Sequence, residues 1–458
     1  MQLRCERQAT NTCPHESTLA IDEEHHMNVD LLINNVCLED GEPLKDIAID
    51  AGRIVAIESG IEARATETID AAGRAAVPGF VEPHMHLDKA MLHRRLPARF
   101  GTLEEAIRVT GILKGKQKRT DVLERSRAVL DAAVRNGTVA IRAHPDVDLI
   151  QGLIGVETLL ELRDEYEDLL DLQIVAFPQE GILKSAGTLD LMERAMRLGA
   201  DVVGGCPYNE LNWSDTKAHI DAVFALAQRH DAPIDMHVDF SDEPSDQRFA
   251  ATSYIARKTL ETDWRGRVSL GHVTSLGALK PDELQPIIEL LHKADISVVT
   301  LPATDLYLGG RQDASNPRRG LTPVKALYQG GVNVAYSSNN IRNAFTPFGN
   351  ADMLVIGNML AHVAQFGTPE HQLAILQMGT RNAASAIGME RDYGIAVGKQ
   401  ADLVILDTYK VADVLLDIPP RAWVVKRGRV TVVTRHECHI HRHCCGHATV
   451  SNHTDSQP

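Results

Sequence analysis

Short apolar runs alternate with helical patterns through the middle of the chain. Eight such runs each end in polar residues, among them TVAIRAHPD, PIDMHVD, VSLGHVT and VNVAYSSNN. The segments between them, such as TLDLMERAMRLGA, carry apolar residues three and four positions apart, which is typical of amphipathic helices. Continuous apolar strands alternating with such helices predict a parallel sheet covered on both faces. Eight units predict an α/β fold, a (β/α)₈ TIM-like barrel over residues 77–391, with its site at the C-terminal ends of the strands.

Both ends of the chain show a shorter, alternating pattern. DIAIDAGRIVAIES near the start, and GKQADLVIL and AWVVKRGRVTVV near the end, place apolar residues at every second position. This period is typical of short antiparallel strands. We therefore predict one small flanking β-sandwich domain built from residues 27–76 and 392–433. The polar residues 1–26 and the His/Cys-rich residues 434–458 are predicted to be disordered extensions.

Composition and charge exclude several classes of protein. The 458 residues are 44% hydrophobic and carry a formal net charge of -15, which argues against binding to nucleic acid phosphates. No stretch approaches the roughly 18 uninterrupted apolar residues of a membrane span, and the N-terminus lacks the apolar core of a signal peptide. The seven cysteines suggest no disulfide framework. A cytoplasmic protein without membrane or nucleic-acid partners is the expectation.

Four histidines at predicted strand ends form the strongest chemical signal. His84 and His86 end the first strand, where alternation places both imidazoles on one face. His237 and His272 end the fifth and sixth strands within apolar runs. Burying four imidazoles without a partner would cost free energy, so the set predicts a metal site rather than packed or exposed structural histidines. The fourth strand offers no lysine to bridge two ions, which favours a single ion.

Further polar residues follow the strands, and each has a structural alternative. Asp239 can orient a ligand or relay a proton, but it can equally cap a helix. Gln179 can donate and accept hydrogen bonds at an amide-like ring edge. His144 and Asp305 are candidates for substrate contact, with a structural histidine and a helix cap as the alternatives. Lys89 adds a cation near the pocket mouth, although a solvated lysine is the favoured interpretation.

The C-terminal run HECHIHRHCCGH holds five histidines and three cysteines. Its spacing fits no zinc-finger pattern, and it lies beyond the last predicted strands. Adventitious metal binding by a tail is the favoured interpretation. Such a tail would mislead a simple metal assay.

Several motifs together resemble the bacterial cytosine deaminase branch of the amidohydrolase superfamily. They are VEPHMHLDK, VAFPQEGI, LGHVTS and RRGLTPVKALYQGGVNVAYSSNN, and the similarity runs in order from about residue 29 to residue 430. The branch also contains triazine-ring hydrolases such as N-isopropylammelide isopropylaminohydrolase. The resemblance implies a distorted barrel with a flanking β-sandwich, in agreement with the prediction from the pattern.

The resemblance also assigns roles to the predicted site residues. It implies that His84, His86 and His237 bind one divalent iron or zinc ion, and that His272 polarises the metal-bound water or the substrate. Gln179 corresponds to a glutamine that reads the edge of a pyrimidine ring. The expected reaction is attack of metal-activated water on a ring carbon, with release of ammonia or an amine.

Two positions depart from the family pattern. Asn339 stands where the family has a metal-binding aspartate, and its neutral amide oxygen can contact a metal but cannot take a proton. Phe240 stands where the family has a proton-shuttling glutamate. Loss of a general acid/base typically costs about 10²–10⁴ in rate. The candidates to replace it are Asp239, preferred, then Glu243 of the Asp242–Glu243 pair, and Asp88.

Three functions therefore compete. The leading one is a hydrolase of an exocyclic C–N bond in a small nitrogen heterocycle. The second is a ring-opening hydrolase of a cyclic amide or imide, which would abolish the ultraviolet absorption of the ring. The third is a non-catalytic small-molecule binder on an enzyme scaffold, which Asn339 and Phe240 favour. The substrate's identity, the choice between iron and zinc, and association into homo-oligomers stay open.

Overall fold

The computed structural model describes residues 27–95, 99, 101–437 and 439. The predicted N-terminal extension, residues 1–26, and most of the predicted His/Cys-rich tail lie outside this part of the chain. Among the described residues, no helix combines the length and apolar composition needed to cross a bilayer.

The chain opens with the first sheet of the predicted β-sandwich. This sheet has the strand order β3-β2-β1-β4 and pairs β1 with β2 in antiparallel and β1 with β4 in parallel fashion. A short fifth strand belongs to a second sheet and leads directly into the barrel. The five strands are β1 Met27–Val36, β2 Lys45–Asp50, β3 Arg53–Glu58, β4 Ala63–Asp70 and β5 Ala76–Pro78.

Eight parallel strands then form the barrel, each paired with the next along the chain. A β-bridge between Met85 and Asn339 brings the first and last strands together. Nearly every strand residue is buried, because helices cover the outside and side chains fill the inside. The strands are β6 Phe80–Met85, β7 Thr138–Ala143, β8 Asp171–Ala176, β9 Val202–Gly205, β10 Ile234–Val238, β11 Val268–His272, β12 Ile296–Thr300 and β13 Val334–Tyr336.

Amphipathic helices connect the barrel strands. Several begin at a side-chain cap, as at Thr102, whose hydroxyl accepts from the Glu105 N–H, and at Asn212, which accepts from the Asp215 N–H. The helices are α1 Leu103–Lys114, α2 Arg119–Arg135, α3 Ile154–Glu165, α4 Thr188–Leu198, α5 Trp213–His230, α6 Thr252–Glu261, α7 Pro281–Lys293, α8 Pro302–Leu308, α9 Val324–Gln329, α10 Met353–Val363, α11 Pro369–Met378 and α12 Arg381–Ala386.

The chain returns to the second sheet of the sandwich through β14 Leu403–Leu406, the short helix α13 Asp413–Asp417, β15 Arg421–Lys426 and β16 Arg429–Val433. The order of this sheet is β16-β15-β14-β5, so both ends of the chain contribute to it. Apolar side chains from the two sheets form one buried cluster that includes Ile33, Ile47 and Ile405. The predicted fold class, a (β/α)₈ barrel with flanking β-sheets, is confirmed.

Candidate metal centre and active site

Three of the predicted ligands meet at the C-terminal end of the barrel. The Nε2 atom of His237, at the end of β10, lies 2.9 Å from Nε2 of His84 and 2.9 Å from Nε2 of His86. His86 donates its Nδ1–H to the carbonyl of His144 at 2.8 Å, so its Nε2 carries a lone pair. Burial keeps the three rings neutral: it lowers the pKa of His84 to about 3, and that of His237 falls well below its usual value. Neutral imidazoles that meet in this way fit a divalent metal ion, and the neighbouring His144 belongs to the cluster as well, since ligand atoms of His84, His144 and His237 all lie within 4.8 Å of one another.

Asn339 lines the same small cavity as His86 and His237. Its Oδ1 is buried and has no hydrogen-bond partner among the described residues, and its N–H donates to the His84 carbonyl at 3.1 Å. The loop that carries it is fixed by the buried Glu82, whose carboxylate accepts from the Ser338 N–H at 2.9 Å. An orphaned buried oxygen costs free energy. An unpartnered oxygen on a residue of this cavity lining therefore fits an atom that would face a bound ion.

The backbone is strained where the barrel strands deliver these side chains. Asp239, His272 and Asn339 all have left-handed φ values, of 52°, 73° and 59°. Non-glycine residues rarely adopt this conformation, which costs about 1–3 kcal/mol each and clusters at functional sites. Gly271 precedes His272, and a Cβ atom there would lie only 2.8 Å from Cε1 of His84. The ends of β10, β11 and β13 are therefore shaped for the site.

His272 and Asp305 form a buried pair next to the three histidines. The Nδ1 atom of His272 lies 2.7 Å from Oδ1 of Asp305, which stands in the first turn of α8. Burial raises the pKa of Asp305, and the neighbouring His272 opposes that shift. The Phe240 ring stacks on the imidazole of His272 at a centroid distance of 4.0 Å and an interplanar angle of 13°. Phe240, at the position where the resemblance implies a proton-shuttling glutamate, therefore covers one face of the His272 ring.

Asp239, the preferred proton relay, points away from this cluster. Its carboxylate accepts from the Ala251 N–H at 2.7 Å, from the Thr252 N–H at 3.0 Å and from the Thr252 hydroxyl at 2.6 Å. Asp239 therefore holds the start of α6, as the helix-cap alternative proposed. Asp242 accepts from the Gly310 N–H at 2.9 Å, and the exposed Glu243 lies with it in an outer cleft. The geometry gives none of the three a direct contact with the histidines.

Lys89 differs from the solvated lysine expected from the sequence. It is only 1% exposed, and its Nζ lies 2.5 Å from Oδ1 of Asp146 and 3.4 Å from Oε1 of Gln179. Asp88 is buried as well and accepts from the Asp146 N–H at 3.0 Å. The expectation of a solvated lysine was wrong, because a buried carboxylate compensates its charge. Lys89 contacts the oxygen of Gln179, and Nε2 of that amide donates one N–H to Sγ of Cys206 at 3.8 Å, which leaves its second N–H available as a donor.

A small cavity opens over the cluster, and Phe240 separates it from the outer cleft. Its described lining holds neutral polar groups and aromatic walls, without a carboxylate or an amine. The lining residues are His86, Gln179, Tyr208, His237, Phe240, His272, Thr304, Asn339, Asn340 and Phe345. His144 and Asp305, both predicted to contact substrate, are not among them. His144 instead stacks on His84 at a centroid distance of 3.9 Å.

Several residues of the site were not predicted from the sequence. Tyr208, Asn340 and Phe345 come from segments after the strands, whose course a single sequence does not reveal. Asp235 lies within β10, and its Oδ1 atom lies 3.0 Å from Nε2 of His144. A signal for Asp235 existed, because a carboxylate inside the apolar run PIDMHVD is as unusual as a histidine there.

Comparisons with known proteins identify the family to which the chain belongs. The sequence profile described as the Amidohydrolase family matches residues 67–434. The chain belongs to the amidohydrolase family. It is 30% identical over 413 residues to N-isopropylammelide isopropyl amidohydrolase of Pseudomonas sp. (strain ADP), covering 88% of this chain and 97% of that protein. It is 30% identical over 356 residues to a pterin deaminase of Rhizobium rhizogenes, covering 77% of this chain and 79% of that protein.

Solved amidohydrolase structures share the whole architecture. The structure of 5-methylcytosine deaminase from Klebsiella pneumoniae with 5-fluorocytosine superposes with a TM-score of 0.85 at 30% identity, covering 90% of this chain and 99% of that one. N-isopropylammelide isopropylaminohydrolase from Burkholderia multivorans gives a TM-score of 0.77 at 28% identity, covering 88% and 98%. The predicted family and the predicted class, a metal-dependent amidohydrolase, are confirmed.

Proposed function

We propose that this amidohydrolase removes ammonia or an amine from an exocyclic C–N bond of a small, uncharged nitrogen heterocycle. The observation that carries the proposal is the convergence of three Nε2 atoms beside a cavity of neutral polar groups and aromatic walls. A cationic ligand would lose its hydration there without finding an opposite charge on the described lining, and an anionic ligand would find only the bound ion. A flat heterocycle matches the aromatic rings and the amide groups. The activities named for the relatives, on N-isopropylammelide, pterin and 5-methylcytosine, are consistent with this substrate class.

His84, His86 and His237 would hold one divalent zinc or iron ion, with the amide oxygen of Asn339 facing it. When bound, such an ion lowers the pKa of water towards neutrality and so supplies a nucleophile at physiological pH. The protein's own contribution is to fix the three imidazoles in one tautomer and to exclude bulk water by burial. An amide at position 339 adds no negative charge, so the site would hold its ion more weakly than one with an aspartate there.

His272 is the group best placed to move protons. Its Nδ1–H donates to Asp305, which leaves Nε2 as the proton acceptor towards the cavity. Asp305 would stabilise the imidazolium formed after proton uptake and keep the ring in the productive orientation. His272 would then return the proton to the departing nitrogen. The pair His272–Asp305 would in this way replace the missing glutamate, a role that we do not assign to Asp239.

Substrate orientation would come from amide groups and aromatic faces. Gln179 would donate an Nε2–H to a ring nitrogen or carbonyl oxygen, because the Oε1 atom of Gln179 already accepts from Lys89. Phe345 and Tyr208 would pack against the ring faces. This arrangement selects planar rings with an acceptor on the edge opposite the scissile bond.

The test combines metal content and product analysis on the full chain. We expect wild-type protein to hold one iron or zinc ion more than His84→Ala, because the tail contributes equally to both. We also expect it to release ammonia or an amine from substituted pyrimidines, triazines or pterins while the ultraviolet absorption of the ring persists. His362→Ala, which alters an exposed histidine on α10, is the matched control and should retain metal and activity. Loss of the ring absorption would instead identify a ring-opening hydrolase. Ligand-induced thermal stabilisation without turnover would identify a non-catalytic binder.

A further inference from the structure

A buried carboxylate lies next to the metal-facing histidines, the name used here for His84, His86 and His237. Asp235 belongs to β10, two residues before His237, and is fully buried. Its Oδ1 atom lies 3.0 Å from Nε2 of His144 and 3.6 Å from Nδ1 of His84. Oδ1 has no hydrogen-bond partner among the described residues, and neither does Nδ1 of His84. Two unsatisfied buried groups thus face each other across a short gap, and Nε2 of His144, which lies closer to Oδ1, has no partner either.

The tautomer of His84 explains why this gap matters. Its Nε2 points to the metal-facing cluster, at 2.9 Å from Nε2 of His237, and must carry a lone pair to bind an ion. The proton of the neutral ring then sits on Nδ1, which lies 3.6 Å from Oδ1 of Asp235. The tautomer of His86 is fixed by a different acceptor, because its Nδ1–H donates to the main-chain carbonyl of His144 at 2.8 Å.

Arg142 fixes the carboxylate from the opposite side. Its Nη1 donates to Oδ2 of Asp235 at 3.0 Å, while its Nε donates to Gln173 at 3.0 Å and Nη1 also reaches the carbonyl of Ala386 at 3.2 Å. The guanidinium is buried and held at several points. Oδ2 is therefore committed to Arg142, and Oδ1 is left for the imidazoles.

We propose that Asp235 is the positioning carboxylate of the metal centre: it accepts the Nδ1–H of His84, fixes that ring with Nε2 towards the ion, and increases the ring's basicity as a ligand. His144 belongs to the same layer, because it shares Oδ1 of Asp235 and stacks on His84. The inference rests on the proposed metal centre. It assigns His144 to positioning, in place of the substrate contact expected from the sequence.

The test is the zinc affinity of the full chain, measured by competition with a chelator and compared with the same titration of His84→Ala, in which the His/Cys-rich tail contributes equally. Asp235→Asn keeps the shape and one hydrogen-bond acceptor but removes the charge. We expect it to weaken zinc binding by about 10–100-fold, the usual effect of removing a carboxylate that supports a ligating histidine. The visible spectrum of the cobalt-loaded protein should shift as well, because a rotated ring changes the ligand field.

Glu210→Gln is the matched control. Glu210 is another buried carboxylate in the barrel that accepts from an imidazole, Nδ1 of His219 at 2.7 Å, but this pair does not contact the metal-facing histidines. Its variant should bind zinc as tightly as the wild type, with an unchanged cobalt spectrum. Equal affinity and spectra for Asp235→Asn and wild type would overturn the inference while leaving the proposed function intact. Wild-type protein that binds no zinc in the barrel would overturn both.

A second measurement covers the case in which Asp235→Asn does not fold. In zinc-loaded wild-type protein labelled with ¹⁵N-histidine, the Nδ1 proton of His84 should be observed far downfield and exchange slowly, as expected for a bond to a buried carboxylate. A His84 ring protonated at Nε2, or a rapidly exchanging Nδ1 proton, would contradict the proposal.

Discussion

At the scale of single residues, Asn339 and Phe240 change what the family's chemistry requires of the remaining groups. Asn339 supplies an oxygen without a negative charge, and Phe240 stacks its ring on His272 at the position where the resemblance implies a proton-shuttling glutamate. The nearest buried carboxylate in contact with His272 is Asp305. The consequence is that proton transfer should depend on Asp305, and metal retention should be limited by the neutral amide.

A negative charge at position 339 tests whether the neutral amide limits metal retention. Asn339→Asp places an anionic oxygen at the orphaned Oδ1, in the cavity that His86 and His237 also line. We expect slower loss of metal to a chelator and a kcat that rises by up to about 10², because a general base is regained. Asn340→Asp is the matched control: the same cavity gains a charge, but the oxygen of Asn340 already accepts from Asn343 at 2.7 Å. A slower, metal-depleted Asn339→Asp would show that the site is built around the amide.

Paired substitutions of the two buried aspartates test the proton path. Asp305→Asn removes the charge that stabilises protonated His272, so kcat should fall by about 10²–10⁴ while the metal content stays at the wild-type value. Asp239→Asn should change kcat far less, since asparagine also caps helices well and the carboxylate contacts only the start of α6. Steady-state kinetics with a metal analysis of each variant decides between them. The reverse ranking would return the relay to Asp239.

The residue scale also shows where the sequence sufficed. His84, His86 and His237 could be located because histidines at the ends of apolar strands are unusual and meet at one edge of a barrel. Asp239 was misjudged for a local reason. Strand alternation puts it on the same face as His237, but its φ of 52° breaks the alternation and turns the side chain towards α6.

At the scale of elements, the eight apolar runs predicted the eight barrel strands, because burial on both faces demands continuous apolar sequence. The ends of these elements were harder to predict. Asp305 was expected at the end of the seventh strand, yet β12 stops at Thr300 and Pro302 starts α8, which carries Asp305 in its first turn. Proline at the first helical position favours that early start, since its missing N–H is not needed there.

The loop after β8 depends on one buried carboxylate, which gives a pH-dependent prediction. Glu210 accepts hydrogen bonds from His219 and from three consecutive main-chain N–H groups, those of Ile182, Leu183 and Lys184. Burial alone would raise the pKa of Glu210, but these bonds outweigh it and lower the pKa to about 2 from its ordinary value of 4.5. Because the folded-state pKa is depressed, the ionised Glu210 carboxylate stabilises the fold fully above about pH 4.5. This stabilisation is lost as the pH falls towards 2.

Glu210→Gln cannot titrate in this range. We expect it to lower the free energy of unfolding by about 1.5–3 kcal/mol at neutral pH, the usual contribution of hydrogen bonds to a charged group. The difference from wild type should shrink steadily between about pH 4.5 and pH 2, as measured by urea unfolding at a series of pH values. Glu289→Gln, on the exposed face of α7, should show no such trend. A difference that is constant with pH would mean that the Glu210 carboxylate does not provide the stability.

At the scale of the whole molecule, the sandwich is joined to the barrel at the end opposite the site. β5 runs into β6 after Gly79, whose N–H donates to the Asp402 carbonyl at 3.0 Å. Val404 and Val424 of the second sheet belong to the same buried apolar cluster as the barrel helices. The N-terminal face of such barrels serves stability rather than chemistry. We therefore expect the sandwich and the barrel to unfold together.

Lys426 offers a test of that coupling, because its fully buried ammonium links the two parts. On β15 of the sandwich, its Nζ lies 2.7 Å from Asp402 and 2.7 Å from Asp171, which begins barrel strand β8. Lys426→Met leaves both carboxylates without this cation and should cost about 3–5 kcal/mol of unfolding free energy. Thermal unfolding should remain a single transition at lower temperature, whereas kcat measured well below that temperature should match wild type. Lys410→Met, at an exposed position of the same domain, should change neither. Two separate transitions in Lys426→Met would show that the sandwich and the barrel are independent units held together by this ion pair, contrary to the shared core.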